Sequence, residues 1–286
     1  MRAVQYDLKG AKTAEEALDT AQMNWEASPV NMLTENGQSV PEHKAIVRSD
    51  NNAVIGVVGD RYTPIQNNFA FSFFDTICAS HNATYDKAYI IDGGRKVILE
   101  ATIDGGITIR KNDEVFRKIR LINTFDGSFP LSAQFWIWRK VCSNGLMGWA
   151  KENKCKIYHT KNGEARGAEA LRVLAASAKY FDKFETTCKL LASKIMDKKT
   201  VDMFLKECFP TEGGTRQKNL VNKVVECYEA GKGTGKGTAW DVFNGFVEWI
   251  DHYRSADDET RLANAVLGAV SLKEAAFDSI VRLSKV

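Results

Sequence analysis

The six cysteines form no Cys-x-x-Cys pair, and the 39 basic residues nearly cancel the 36 acidic ones. No apolar run approaches the roughly 18 residues that a membrane span requires. Each absence removes a class of function. Cys78, Cys142, Cys155, Cys188, Cys208 and Cys227 are scattered, which supplies neither zinc-ribbon nor redox spacing, so reduced thiols in a cytoplasmic protein are expected. No apolar signal-like segment follows Met1, so secretion is not expected. A formal net charge of +3 and a pI of about 8.4 rule out a uniformly polycationic chain, so any polyanion-binding surface has to be a local patch. No internal repeat is evident. No cofactor motif is complete either. A phosphate-binding loop needs Gly-x-x-x-x-Gly-Lys followed by Ser or Thr, but here Gly235-Lys236 is followed by Gly237, and Ala230 stands at the first glycine position. The stretch AGKGTGKGTAW reads instead as a basic glycine-rich loop whose Lys232 and Lys236 can meet phosphates as point charges.

What remains is ordinary globular text, 286 residues with 44% hydrophobic and 26% charged content, enough for a sizeable core. Thr13 and Glu16 form a capping-box pattern that starts a helix running to about Met23. HKAIVRSDNNAVIGVVG predicts a hairpin turning at Asp50-Asn51-Asn52, and YDKAYIIDGGRKVILEATI a second one turning at Asp92-Gly93-Gly94. Between them Phe69, Phe73, Phe74, Ile77 and Cys78 recur at the spacing of one helical face. Strands are expected at Val115–Thr124, at Phe129–Trp138 and around KIYHT. From about Ala165 the text turns helical, with segments near Thr200–Cys208, Gln217–Ala230, Thr238–Tyr253 and Leu272–Leu283. The expected class is α+β, an antiparallel hairpin-rich sheet with packed helices over residues 1–162, followed by a mostly helical region over 163–286.

The functional signal concentrates in FDGSFPLSAQFWIWRKVCSNGLMGWA, residues 125–150. Strand alternation there puts Leu131, Ala133, Phe135 and Ile137 on one face and Ser132, Gln134, Trp136 and Trp138 on the other. Both faces carry large apolar groups, which fits a strand covered on both sides or an aromatic platform for stacked bases. From Arg110 to Lys161 eleven Lys and Arg residues face four Asp and Glu, an excess larger than that of the whole chain. Cations interleaved with aromatics are what a single-stranded nucleic acid needs, charge against phosphates and rings against bases. Arg117, Lys118, Arg120, Arg139, Lys140, Lys154 and Lys156 are therefore the candidate phosphate contacts, and Trp136, Trp138 and Tyr158 the candidate stacking groups. Catalytic and metal-ligating readings are thinner. Cys142, Cys155 and His159 lack the fourth ligand of a structural zinc site, and the pairing of thiol and base is not visible in sequence. Asp126, in Phe-Asp-Gly-Ser, would suit a metal-dependent nuclease with other carboxylates or simply close a turn.

The segments VIGVVGDRYTPIQNNFAF, GGRKV, NTFDGS, RKVCSNGL and GTAWDVFNGFVEWIDHYR together resemble the phage- and plasmid-borne proteins classed as a domain of unknown function. That resemblance implies a role in mobile-element DNA metabolism or host takeover, in the host cytoplasm if phage-encoded, and implies no catalytic residues. A helix followed by a hairpin-rich sheet with basic residues also looks like the core of single-strand annealing proteins of the RecT, Red-beta and Rad type, which form rings or filaments on DNA. The expectation is a non-enzymatic single-stranded DNA-binding protein that promotes annealing as a homo-oligomer, without cofactor, metal or membrane. A host-factor-binding interaction protein and a metal-dependent nuclease are the alternatives.

Overall fold

The computed structural model describes residues 2–140, 144–146, 154–168, 179–209, 214–232, 234–254 and 270–285. It is α+β, as expected. The strands are β1 (Ala3–Asp7), β2 (Ala27–Leu33), β3 (Ser39–Arg48), β4 (Val54–Gly59), β5 (Ala83–Ile91), β6 (Lys96–Arg110), β7 (Asp113–Thr124), β8 (Leu131–Arg139), β9 (Asn144–Leu146) and β10 (Lys154–Ile157). The helices are α1 (Ala14–Thr20), α2 (Asn67–Ser80), α3 (Lys179–Ser193), α4 (Lys198–Cys208), α5 (Thr215–Ala230), α6 (Ala239–Glu248) and α7 (Val270–Ser284). A seven-stranded sheet runs β1-β5-β6-β7-β8-β10 with β9 also on β8, and β2-β3-β4 form a separate three-stranded sheet.

The chain divides into two compact units, but not at the 162/163 boundary expected from the text. Unit 1 holds Met1–Asp104, Lys118–Phe135 and Ala150–Ser177, and unit 2 holds Gly105–Arg117, Trp136–Trp149 and Ala178–Val286. The long strands β6, β7 and β8 each contribute residues to both, so a division between contiguous segments is not available.

In unit 1 both expected hairpins form, and their turns explain them. Asn52 takes a positive φ of 57° between β3 and β4, and Asp92, Gly93 and Gly94 all lie at positive φ between β5 and β6. Thr13 caps α1 by accepting the Glu16 N–H, while Glu16 Oε2 accepts the N–H of Lys12 at 2.7 Å, one residue earlier than a capping box requires. Helix α2 buries Phe71, Phe73, Phe74 and Ile77 and packs on β5. At the start of β2 the Gln66 side-chain amide donates to the Ala27 C=O and accepts the Ala27 N–H, both at 2.9 Å. These groups point away from β3, and by strand alternation so does the backbone of Pro29, which has no N–H to offer. Cross-strand partners Val30, Ala45 and Val57 form a row on this small sheet, and Val30 and Val57 are exposed.

Unit 2 is organised about α6. All ten residues of Ala239–Glu248 are buried, and the helix opens on a complete capping box in which Thr238 and Asp241 satisfy each other's backbone N–H groups. It continues as one π-helical turn, Trp249–Tyr253. Helix α5 approaches so closely that a Cβ on Gly245 would stand 2.7 Å from the Tyr228 backbone. Aromatic contacts close the core, with Phe243 edge-on to Phe277 at 5.0 Å and Phe204 edge-on to Phe246 at 5.9 Å.

Candidate nucleic-acid interface

Strand β7 carries Lys118 and Arg120 two residues apart, hence on one face, and that face points inward. Lys118 is 5% exposed and pairs with Asp86, and Arg120 is 1% exposed with its Nε donating to Glu100 Oε1 at 2.8 Å. These carboxylates come from β5 and β6, so the charges cancel across strands. Arg139 is fully buried at the end of β8, where its Nε and a terminal nitrogen grip both Asp113 oxygens at 2.7 and 2.5 Å. The placement of Lys118, Arg120 and Arg139 corrects the expectation that they contact phosphates. Each is an internal ion-pair partner, and removing a guanidinium so enclosed from its carboxylate costs several kcal/mol. Trp136 is likewise buried, at 3% exposure, which corrects its assignment as a stacking platform.

The remaining candidates do reach solvent. In unit 2 Lys140 is exposed, paired loosely with Glu114 at 3.4 Å, and its ammonium lies 5.8 Å from the Phe116 ring centroid. Trp138 is half-buried, and its ring meets Phe116 at 6.0 Å. Arg117 is half-buried, with its guanidinium 5.7 Å from the Phe181 ring. In unit 1 Lys156 is exposed on β10, an edge strand of the large sheet, and Tyr158, just past the end of that strand, is 57% exposed. The backbone of Lys154 pairs with Gln134, while its side chain lies outside the described residues.

A buried network underlies the unit 2 group. Asp113 receives Arg139, the Trp240 indole N–H at 2.9 Å and the Arg110 Nε at 3.3 Å. Arg110 also pairs with Asp241, whose Oδ2 accepts the backbone N–H groups of Lys236 and Thr238, both at 3.1 Å. Burial raises the Asp241 carboxyl, yet the hydrogen bonds from Arg110 and Thr238 outweigh it and leave the group below the ordinary carboxylate range. Close by in chain terms, Glu248 is buried and raised, chiefly by desolvation. Of the network's acids, the sequence alone marks Asp113 only as one of several scattered carboxylates and does not mark Asp241. The signal that points to them is Thr238-x-x-Asp241, a capping-box spacing at the start of a largely apolar helix.

Sequence candidates for catalysis fare differently. Cys142 lies outside the described residues. Burial pushes the Cys155 thiol up to about 11, so no thiolate is available at neutral pH. His159 is 7% exposed and stacks on Tyr62 at 4.8 Å, with Nδ1 accepting the Ile65 N–H at 3.1 Å. Asp126 accepts from the N–H and hydroxyl of Ser128 and so closes the turn at Gly127, which has a φ of 73°. Among the described residues no three His, Cys, Asp or Glu side chains converge to hold a metal ion. A cleft of about 550 Å³ in unit 1, lined by Glu42, His43, Gly59, Asp60, Arg61 and Tyr62, has no Ser, Thr, Cys or Lys in its lining.

The segments that carried the resemblance converge structurally in each unit. In unit 1 Tyr62 donates to the Thr124 C=O at 2.6 Å, Asn123 donates to the Ile65 C=O at 2.8 Å, and the Phe125 N–H reaches the Arg95 C=O at 2.8 Å. In unit 2 the Arg139 and Trp240–Asp241 segments meet at Asp113 and Arg110. The chain belongs to the family described as Domain of unknown function (DUF932), whose model matches residues 54–275. No curated protein and no solved structure matches it. Among the described residues no helix is long and apolar enough to cross a membrane.

Proposed function

We propose that this protein binds single-stranded DNA without catalysing a reaction on it, and that as a phage- or plasmid-encoded homo-oligomer it promotes strand annealing in recombination or replication. The observation that carries the reading is the Lys140, Phe116 and Trp138 cluster, in which an exposed ammonium just past β8 lies near the half-buried Phe116 ring of β7, itself against the half-buried Trp138 ring. A single strand needs both parts, because its phosphates release counterions to cations while its unstacked bases find aromatic faces. In unit 1 Lys156 and Tyr158 are both exposed, a cation and a ring two residues apart. The nuclease alternative draws no support from Asp126, whose carboxylate is engaged in its own turn.

Fluorescence anisotropy with a labelled oligothymidylate over a salt series tests the reading. Expected is binding that weakens with salt, by about 0.7 in log-log slope per phosphate contact. Trp138→Ala should weaken it by about 1–3 kcal/mol at any salt through lost stacking. Absence of binding at low salt, or binding without a salt slope, sinks the proposal.

One observation favours a second reading, a protein-binding role. Val30, Val54 and Val57 on the three-stranded sheet are 47, 61 and 50% exposed, more apolar surface than isolated exposed residues present. Pull-down from host lysate with and without nuclease separates the two readings, since a DNA-bridged association disappears on digestion.

A further inference from the structure

We propose that unit 2 carries a lysine-built site for the sugar–phosphate backbone of the bound strand, formed where the turn between α3 and α4 meets the glycine-rich loop between α5 and α6. This rests on the nucleic-acid reading above and assigns the main electrostatic contact to residues that no strand-based reading reaches.

The chain is brought together there by backbone pairing. The Met196 N–H donates to the Gly237 C=O at 2.9 Å, the Ala239 N–H donates to the Lys194 C=O at 2.8 Å, and Ile195 bridges Thr238 in antiparallel fashion. Lys194, Lys198 and Lys199 on one side and Lys232 and Lys236 on the other are all exposed. Lys189 and Lys223, elsewhere in the unit, pair with Glu185 and Glu226. Among the described residues none of the five lysines has a carboxylate within ion-pair distance. The acids nearest in chain are already committed or few. Asp197 caps α4, accepting the Thr200 N–H at 2.7 Å and its hydroxyl at 2.9 Å. Asp241 faces Arg110, and Glu229 is the exposed carboxylate at the end of α5. Five exposed ammonium groups therefore stand against three exposed carboxylates, Asp197, Asp202 and Glu229, the first of them engaged as a cap, while Lys232 also acts on the buried Glu248.

The arrangement is also held in place, which separates it from a loose scatter of surface lysines. Gly235 and Gly237 have φ of 89° and 69°, values that side-chain-bearing residues rarely adopt, and these turn the loop back onto the α3–α4 turn. The Lys236 N–H is fixed to Asp241, Asp241 to Arg110, Arg110 to Asp113, and Asp113 to Arg139, the residue before Lys140. One buried ion network thus anchors both the lysine loop and the Lys140 cluster. Ile195, at the centre of the patch, is 68% exposed, an apolar surface among the cations for a sugar or an unstacked base.

The test replaces Lys194, Lys198, Lys232 and Lys236 together by Ala in the full chain, with anisotropy on oligothymidylate over the same salt series. The expected result is a Kd at least about tenfold higher and a log-log salt slope shallower by about 2 to 3, following from about 0.7 per lost contact. The four-arginine variant should restore both, because charge and not side-chain identity carries the contact. Thermal melting should be unchanged, since all four side chains are exposed. If wild type binds with a salt slope and the alanine variant keeps the same Kd and slope, the patch is overturned while the binding reading stands. If wild type does not bind at all, both fall.

Discussion

His159 accepts the Ile65 N–H through Nδ1, so its ring is neutral in the folded chain and carries its proton on Nε2. Burial brings its pKa down from 6.5 to about 4, with Asp126 opposing the shift weakly. A depressed histidine contributes stability that is fully present above the unfolded value and is lost as pH falls from about 6.5 to about 4. The expected loss is of order 3 kcal/mol. Urea unfolding across this range should show that decline in the wild type and a flatter profile in His159→Gln, which keeps an acceptor but does not titrate. The same decline in both chains would remove His159 as its cause. At this scale the charged residues were the least legible part of the sequence. Lys118 and Arg120 sit among basic neighbours, while the acids that neutralise them, Asp86 and Glu100, lie outside the window in which the charges were counted. A running count of charge along one strand misses partners supplied by the strands beside it.

Among the elements, those with a local cause could be read and those without could not. Asp92-Gly93-Gly94 specifies its own hairpin through positive φ, and the Phe-rich face of α2 specifies its own burial. Strands β1 and β2 give no such signal. β2 reads Ala-Ser-Pro-Val-Asn-Met-Leu, with five of its seven residues exposed, and it is a strand because β3 pairs with it. The capping box at Thr238 and Asp241 has a local spacing, whereas the partner of Asp241, Arg110, is more than a hundred residues away and leaves no local mark. The motif Val-Ile-Gly-Val-Val-Gly makes sense only with its neighbour in place. A Cβ on Gly56 would stand 2.2 Å from the Phe125 carbonyl oxygen, backbone against backbone. Gly56→Ala should therefore cost at least about 1–3 kcal/mol by overpacking, read as a lowered urea midpoint. A variant as stable as wild type would mean that β4 and Phe125 do not approach in solution as they do here.

For the whole molecule, composition foretold an ample core, the strand patterns followed by helical ones foretold an α+β chain, and the C-terminal part is helical. The division into units could not be read, because it cuts across β6, β7 and β8 and so has no linker, glycine run or change of composition to mark it. Assembly is the property that belongs to this scale. An annealing protein that works as a ring or filament should show masses that are multiples of 31.9 kDa by mass photometry, growing when a single strand is added. A monomer with and without DNA would remove the annealing proposal while leaving strand binding intact.

The clasp of Gln66 on Ala27, followed by Pro29, has a consequence for how this chain survives at high concentration. β2 borders a sheet whose broad face is greasy, the combination from which runaway strand-to-strand growth begins. With one rung occupied by a side-chain amide and the next lacking its hydrogen, a foreign strand finds no ladder to climb on that border. The protein can thus leave these valines bare without offering the β2 border as a seed for aggregation.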